Sequence, residues 1–191
     1  MSTNSVVAYL NEDGSVVSSY VHYDGYETGV GMTLLEHYNT DKCARDLAST
    51  LGYASSLSET VAESHADRVH TDEPETFESM EEFETYLMDN SHLEFGYLWT
   101  GGKWMVSSWT TTVEGTGPYA EYNSTWNGFS WLVTSFVREG RKTVDRFRDL
   151  ALEDNREGRT EYDEFADELE VTVDKWHRYG MGEIATEAMA A

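Results

Sequence analysis

Two runs of alternating side chains joined by a tight turn constrain this chain more than any other feature. Val7 and Tyr9, then Val16, Ser18, Tyr20 and His22, recur every second residue in a stretch rich in Val, Tyr and Ser. That period belongs to half-buried strands. Asn11-Glu12-Asp13-Gly14 separates the runs, and Asp-Gly accepts the positive φ of a hairpin turn. The arrangement returns later: Phe95, Tyr97 and Trp99 alternate before Thr100-Gly101-Gly102, and Trp104 and Val106 alternate after it. Trp99 and Trp104 straddle that turn as a cross-strand pair. Two hairpins need helices to cover a face, and three helical stripes are present. Leu34, Leu35 and Tyr38 follow Thr33; Cys43, Ala44, Leu47, Ala48 and Leu51 lie between Asp41 and Gly52; Met80, Phe83, Leu87 and Met88 follow Ser79. Thr33 with Glu36, and Ser79 with Glu82, have the spacing of capping boxes. Gly25, Gly29 and Gly31 mark 24–31 as a loop.

The expected fold class is α+β: an antiparallel sheet of two hairpins with the helices near 33–51 and 79–89 on one face, followed by a C-terminal antiparallel helical hairpin. The α+β domain spans 1–113. Residues 114–128, rich in Thr, Gly, Pro and Asn, read as a linker or surface arm. The helical hairpin occupies 129–178 and a frayed tail 179–191. Its first stripe is Phe129, Leu132, Phe136, Val144, Phe147 and Ala151, with Gly140 as a kink; its second is Tyr162, Phe165, Leu169, Val173 and Trp176, with a turn at Asn155 and Gly158. Basic residues on the first helix and carboxylates on the second favour antiparallel pairing.

At 191 residues the chain is long enough for a real core. Its net charge of −23, from 36 acidic and 13 basic side chains, repels nucleic acid and anionic membranes. No apolar run is long enough to span a bilayer, and the N-terminal segment is not a signal peptide. Cys43 is the lone cysteine, so no disulfide staples the fold. Two readings of the acidity follow. One is adaptation to high salt, favoured by the scarcity of Lys (42, 103, 142 and 175). The other is imitation of nucleic acid on a basic protein surface.

The densest run of unusual polar residues falls from the end of the second strand through the first helix: His22, Tyr23, Asp24, Tyr26, Glu36, His37, Tyr38 and Asn39. A strand puts His22 and Asp24 on one face, and the following helix brings Glu36 or His37 near. Tyr20, Tyr23 and Tyr26, with Trp99, are expected to line a ligand or partner pocket. No nucleophile, phosphate loop or zinc spacing accompanies them, so no catalytic residue, metal ligand or cofactor is assigned. His65 and His70, five residues apart, read as surface residues.

The stretch YVHYDGYETGVGMTLLEHYN resembles a segment of small uncharacterised proteins of tailed phages and related viruses, with the pattern Y-x-H-[W/Y]-D-G-Y, a glycine, then L-L-x-H-Y. The matching residues are Tyr20, His22, Tyr23, Asp24, Gly25, Tyr26, Gly31, Leu34, Leu35, His37 and Tyr38, and EFGYLWTGGKWMV is similar to that family's closing hairpin. The resemblance implies a viral source and carries no activity. The function expected is that of a non-enzymatic viral accessory protein acting by protein binding, on a host nucleic-acid-binding or defence protein. It would work in the host cytoplasm during infection, without nucleic-acid or membrane contact. The alternatives are a virion component that self-associates through the helical hairpin, and a small-ligand binder or enzyme using His22 and Asp24.

Overall fold

The computed structural model describes residues 2–66, 72–114, 121–154 and 161–182. His70, the Asn155 to Gly158 turn, and the 115–120 and 183–191 portions of the expected arm and tail lie outside the described residues. The strands are β1 Ser5–Leu10, β2 Val16–Val21, β3 Tyr53–Ala54, β4 Glu75–Phe77, β5 Phe95–Thr100, β6 Lys103–Glu114, β7 Glu121–Trp126 and β8 Ser130–Trp131. The helices are α1 Met32–His37, α2 Asp41–Thr50, α3 Val61–Ala66, α4 Met80–Asp89, α5 Leu132–Asp154 and α6 Glu161–Gly180.

Both expected hairpins form. β1 pairs antiparallel with β2, and β5 with β6, placing Trp99 opposite Trp104. Gly14, Gly101 and Gly102 take the positive φ their turns require. The sheet, however, is mixed and eight-stranded, in the order β3-β2-β1-β5-β6-β7, with β4 on β2 and β8 on β6. β1 and β5 run parallel, from Ser5 opposite Phe95 to Tyr9 opposite Trp99. This corrects the purely antiparallel expectation. Parallel neighbours need a long crossover, and the segment between the hairpins supplies two. From β2 the chain crosses through α1 and α2 to β3, which is parallel to β2. From β4, antiparallel to β2 and so parallel to β1, it crosses through α4 to β5.

The helices therefore cover both faces, not one. Val7, Tyr9, Tyr97, Trp99 and Trp104 pack against α1, α2, α5 and α6. Val6, Ala8, Val16 and Leu98 pack against Phe83 and Leu87 of α4. β1 has no solvent face: Ser5 to Tyr9 are all buried. An added Cβ at Gly96 would lie 3.0 Å from Leu87, so the glycine lets α4 close onto β5.

α5 and α6 form the antiparallel hairpin, and Leu132, Val133, Phe136, Leu169, Val173 and Trp176 share the core of the sheet's first face. Arg148 of α5 pairs across to Asp167 at 3.3 Å and to Glu170. Gly140 produces no break in α5; it leaves room for Val173 of α6, which lies against it. Of the second stripe, Leu169, Val173 and Trp176 are buried, with Ala166 beside them, whereas Tyr162 and Phe165 are 38% and 43% exposed. Within 114–128, Glu121–Trp126 pairs with the second half of β6 as a ribbon whose Thr110 to Val113 and Asn123 to Thr125 are exposed. The 24–31 loop contains a π-helical turn, Glu27–Gly31, that runs directly into α1. Thr33 consequently caps nothing; its Oγ1 donates to Gly29 O, 3.3 Å.

Candidate functional site

The segment Tyr20 to Tyr38 is held at both ends, and its polar residues divide among three places. At the end of β2, Tyr20 stacks on Tyr53 with ring centroids 5.4 Å apart. The Tyr20 hydroxyl lies 3.2 Å from His22 Nδ1, and Tyr23 meets the His22 ring edge-on at 4.3 Å. His92 stands 6.3 Å from the Tyr20 ring. Tyr20 and Tyr53 border a cavity of about 280 Å³ at the outer edge of β2, lined also by Tyr86, Asp72, Glu73 and Glu75, among others. The cavity exists because two short strands share that edge. β4 covers Val16 to Ser18 and β3 covers Tyr20 and Val21. Ser19 between them turns inward, donating to Ala48 O at 2.8 Å and accepting from Gly52 N at 2.9 Å. Burial raises all three phenols above the ordinary tyrosine range. Tyr53 adds to the effect on Tyr20, the nearby Tyr23 and Asp72 to that on Tyr53, and the charge and hydrogen bond of Glu75 to that on Tyr86.

Asp24 and Gly25 hold the turn that follows. Asp24 has φ 59°, the one non-glycine residue in the left-handed region among the described residues. Its carbonyl accepts from Val30 N at 2.8 Å, and its Oδ1 accepts from the Tyr26 hydroxyl at 3.1 Å. Gly25 donates to Thr3 O at 2.8 Å and accepts from the buried Tyr97 hydroxyl at 2.8 Å. A Cβ at Gly25 would lie 2.6 Å from Thr3 O, so the pattern demands glycine there for close backbone approach. Full burial, then the nearby Glu27, push the Tyr97 phenol well above its usual range. Glu27 is itself buried and accepts from Ser135 Oγ at 2.8 Å; Arg138 donates to the same hydroxyl oxygen at 3.1 Å. Asp24 and Tyr26 open onto a groove of about 560 Å³ between the π-helical turn and the helical hairpin, where Phe147 and Phe165 pack 4.6 Å apart.

Trp99 is far from both. Tyr20 lies opposite Val6, which lies opposite Gly96, whereas Trp99 lies opposite Tyr9. Three residues of strand separate the positions by about 10 Å, and Tyr20 belongs to the α4 face while Trp99 belongs to the other. Trp99 is buried edge-on against Trp104, its Nε1 donating to Asp41 Oδ1 at 3.2 Å. Tyr9 OH donates to the same oxygen at 2.9 Å. Glu36 and His37 sit on α1, half-buried and exposed respectively, where the anchoring is done by Tyr38. Its hydroxyl donates to Ser58 O at 2.9 Å and its carbonyl accepts from Trp104 Nε1 at 3.1 Å. His65 lies at the end of α3 with Nε2 3.1 Å from Thr50 O, and Cys43 is half-buried. Among the described residues no three His, Cys, Asp or Glu side chains converge as a metal-binding group would.

Sequence reasoning missed Tyr53, Tyr86 and Glu75 as neighbours of Tyr20. The one nearby signal in the sequence is the Asp72-Glu73-Pro74-Glu75 run, whose carboxylates and proline mark an acidic loop but not its place beside Tyr20.

The second surface of interest is α6. Seven carboxylates, Glu161, Asp163, Glu164, Asp167, Glu168, Glu170 and Asp174, fall within 14 residues. They fall on two stripes of the helix, Glu161, Glu164 and Glu168 on one and Asp163, Asp167, Glu170 and Asp174 on the other, and Asp167 and Glu170 are paired with Arg148. Glu161, Glu164, Glu168, Glu170 and Asp174 are exposed. Among the described residues no helix is long and apolar enough to cross a membrane.

No protein-family model, curated protein or solved structure matches this chain.

Proposed function

We propose that this chain is a non-enzymatic viral accessory protein that acts by binding a basic protein in the host cytoplasm, occupying a surface that otherwise holds nucleic acid. The observation that supports this most is the stripe of exposed carboxylates Glu161, Glu164 and Glu168 on α6. The sequence resemblance of Tyr20 to Tyr38 to phage proteins supports the viral source. A helix presents these charges on a rigid scaffold, since Leu169, Val173 and Trp176 anchor its inner face in the core. The high net charge adds a long-range field that speeds encounter with a cationic partner. Affinity purification from infected cells tests the proposal, using the native protein beside a Glu161→Gln/Glu164→Gln/Glu168→Gln variant. Basic nucleic-acid-binding proteins are expected with the native chain and depleted with the variant. Recovery of the same partners by both, or of none reproducibly, counts against it.

A second reading has one observation behind it. Leu152 and Val171, on the two helices of the hairpin, are 72% and 71% exposed. Apolar side chains so placed suit contact with a second copy in a particle. Mass spectrometry of purified virions separates the two readings: a stoichiometric amount there favours the assembly role.

A further inference from the structure

We propose that the tyrosine-lined cavity at the outer edge of β2 is a socket for one lysine or arginine side chain of a protein partner. The inference rests on the reading that the partner is basic, but on a surface other than α6. The cavity, about 280 Å³, has the volume of roughly nine liquid waters, enough for one long side chain and too little for a folded element. Three aromatic rings line it, Tyr20, Tyr53 and Tyr86, with Tyr20 and Tyr53 stacked at 5.4 Å. Asp72, Glu73 and Glu75 line the same cavity, and none of its described lining residues is Lys or Arg. Electron-rich rings with carboxylates alongside match an ammonium or guanidinium head, and the apolar walls match its alkyl stem. The phenols stay neutral in this setting. Burial raises Tyr20 and Tyr86, and the Glu75 carboxylate beside Tyr86 disfavours a second negative charge. The β2 edge is already hydrogen-bonded to β3 and β4, so a ligand here is selected through its side chain and not by strand addition. A protein side chain, not a free amine, is the occupant assigned, because exposed Tyr23 and half-buried His22 beside the cavity offer contacts to the flanking backbone of a peptide.

The test uses the whole chain and four probes: Ac-Gly-Lys-Gly-NH2, Ac-Gly-Arg-Gly-NH2, the neutral Ac-Gly-Gln-Gly-NH2, and butylammonium. Binding is followed at near-physiological salt by NMR shifts of the Gly52 and Tyr53 amides. Saturable shifts with the Lys and Arg peptides are expected, with at least about fivefold weaker binding of the Gln peptide and of butylammonium. A Glu73→Gln/Glu75→Gln variant changes two exposed carboxylates; its melting temperature should be unchanged and its affinity for the Lys peptide about tenfold lower. Tyr53→Leu should weaken binding about fivefold. Equal shifts with the Gln peptide, or full affinity in the double Gln variant, would overturn the socket. Butylammonium binding as tightly as the Lys peptide would overturn its assignment to a protein side chain. Capture of basic proteins that depends on the α6 carboxylates but survives these socket variants would refute the socket and leave the proposed function standing. Failure of all such capture with the socket peptides still bound would do the reverse.

Discussion

Gly140 gives the sharpest test of how the helical hairpin meets the rest of the fold. On an exposed helix, Gly→Ala gains about 1 kcal/mol from lower unfolded-state entropy and better propensity. Here a methyl group at position 140 would sit well inside the 3.0 Å that real Cβ contacts respect, against Val173 Cγ2. Val173 is 1% exposed and belongs to the shared core. A helical valine has one strongly preferred rotamer, so it cannot swing aside without strain. Overpacking of this kind costs about 1–3 kcal/mol. Against the propensity gain, Gly140→Ala should leave the chain destabilised by up to about 2 kcal/mol, or as much as roughly 8 °C in Tm at this size. Urea and thermal melts measure this directly. The double variant Gly140→Ala/Val173→Ala removes the obstructing methyls, so its loss should fall short of the sum of the single losses by about 1–2 kcal/mol. If Gly140→Ala stabilises by about 1 kcal/mol, or if the two losses simply add, the close approach of α5 and α6 at this point is refuted.

Four further outcomes are expected. Tm should rise with salt from about 0.01 M and level off above about 0.3 M, as the Debye length falls from about 30 Å to well under 8 Å; a continued rise past 1 M would mark the acidity as salt adaptation instead. Tyr38, pushed up to about 12 by burial, and Tyr86 and Tyr97, raised further, keep their protons through the ordinary tyrosine range. Because their folded values lie above the unfolded one of 10.0, the stability they contribute is complete below pH 10 and lost as pH rises through the folded values, so phenolate absorbance should show a late group that appears only on alkaline unfolding. Asp24→Val, placing a β-branched residue at φ 59°, should cost about 1–2 kcal/mol more than Asp24→Gly in a denaturant melt. Ser135→Ala leaves the buried Glu27 carboxylate without its 2.8 Å donor and should cost about 1–3 kcal/mol by the same assay.

Local chemistry was legible in the sequence where it repeats or caps. The Asp13-Gly14 and Gly101-Gly102 turns, the Trp99–Trp104 pair and the Ser79 cap all stand as read; Ser79 Oγ accepts from Glu82 N at 3.2 Å. The parallel pairing was not legible, because it depends on β3 and β4, two and three residues long, too short to show any period. One clue to a two-sided sheet was present: Val6, Val7 and Ala8 form an unbroken apolar run, as a strand covered on both faces requires. The candidate site was half legible. Tyr20, His22 and Tyr23 do cluster, but Tyr53 and Tyr86 reach them through tertiary contacts that no spacing encodes. Residue type alone places Trp99 in the same pocket. Strand register and face separate it from Tyr20, and neither can be read before the neighbours of a strand are known.

An acidic surface that occupies a nucleic-acid site must compete with nucleic acid for it. The most direct measurement takes a basic protein captured by this chain, loads it with fluorescently labelled duplex DNA, and follows polarisation as the chain is added. Stoichiometric displacement of the DNA is expected, weakened by salt and by replacing Glu161, Glu164 and Glu168 with Gln. A partner that holds the chain and the DNA together, or a displacement indifferent to those three carboxylates, would contradict it.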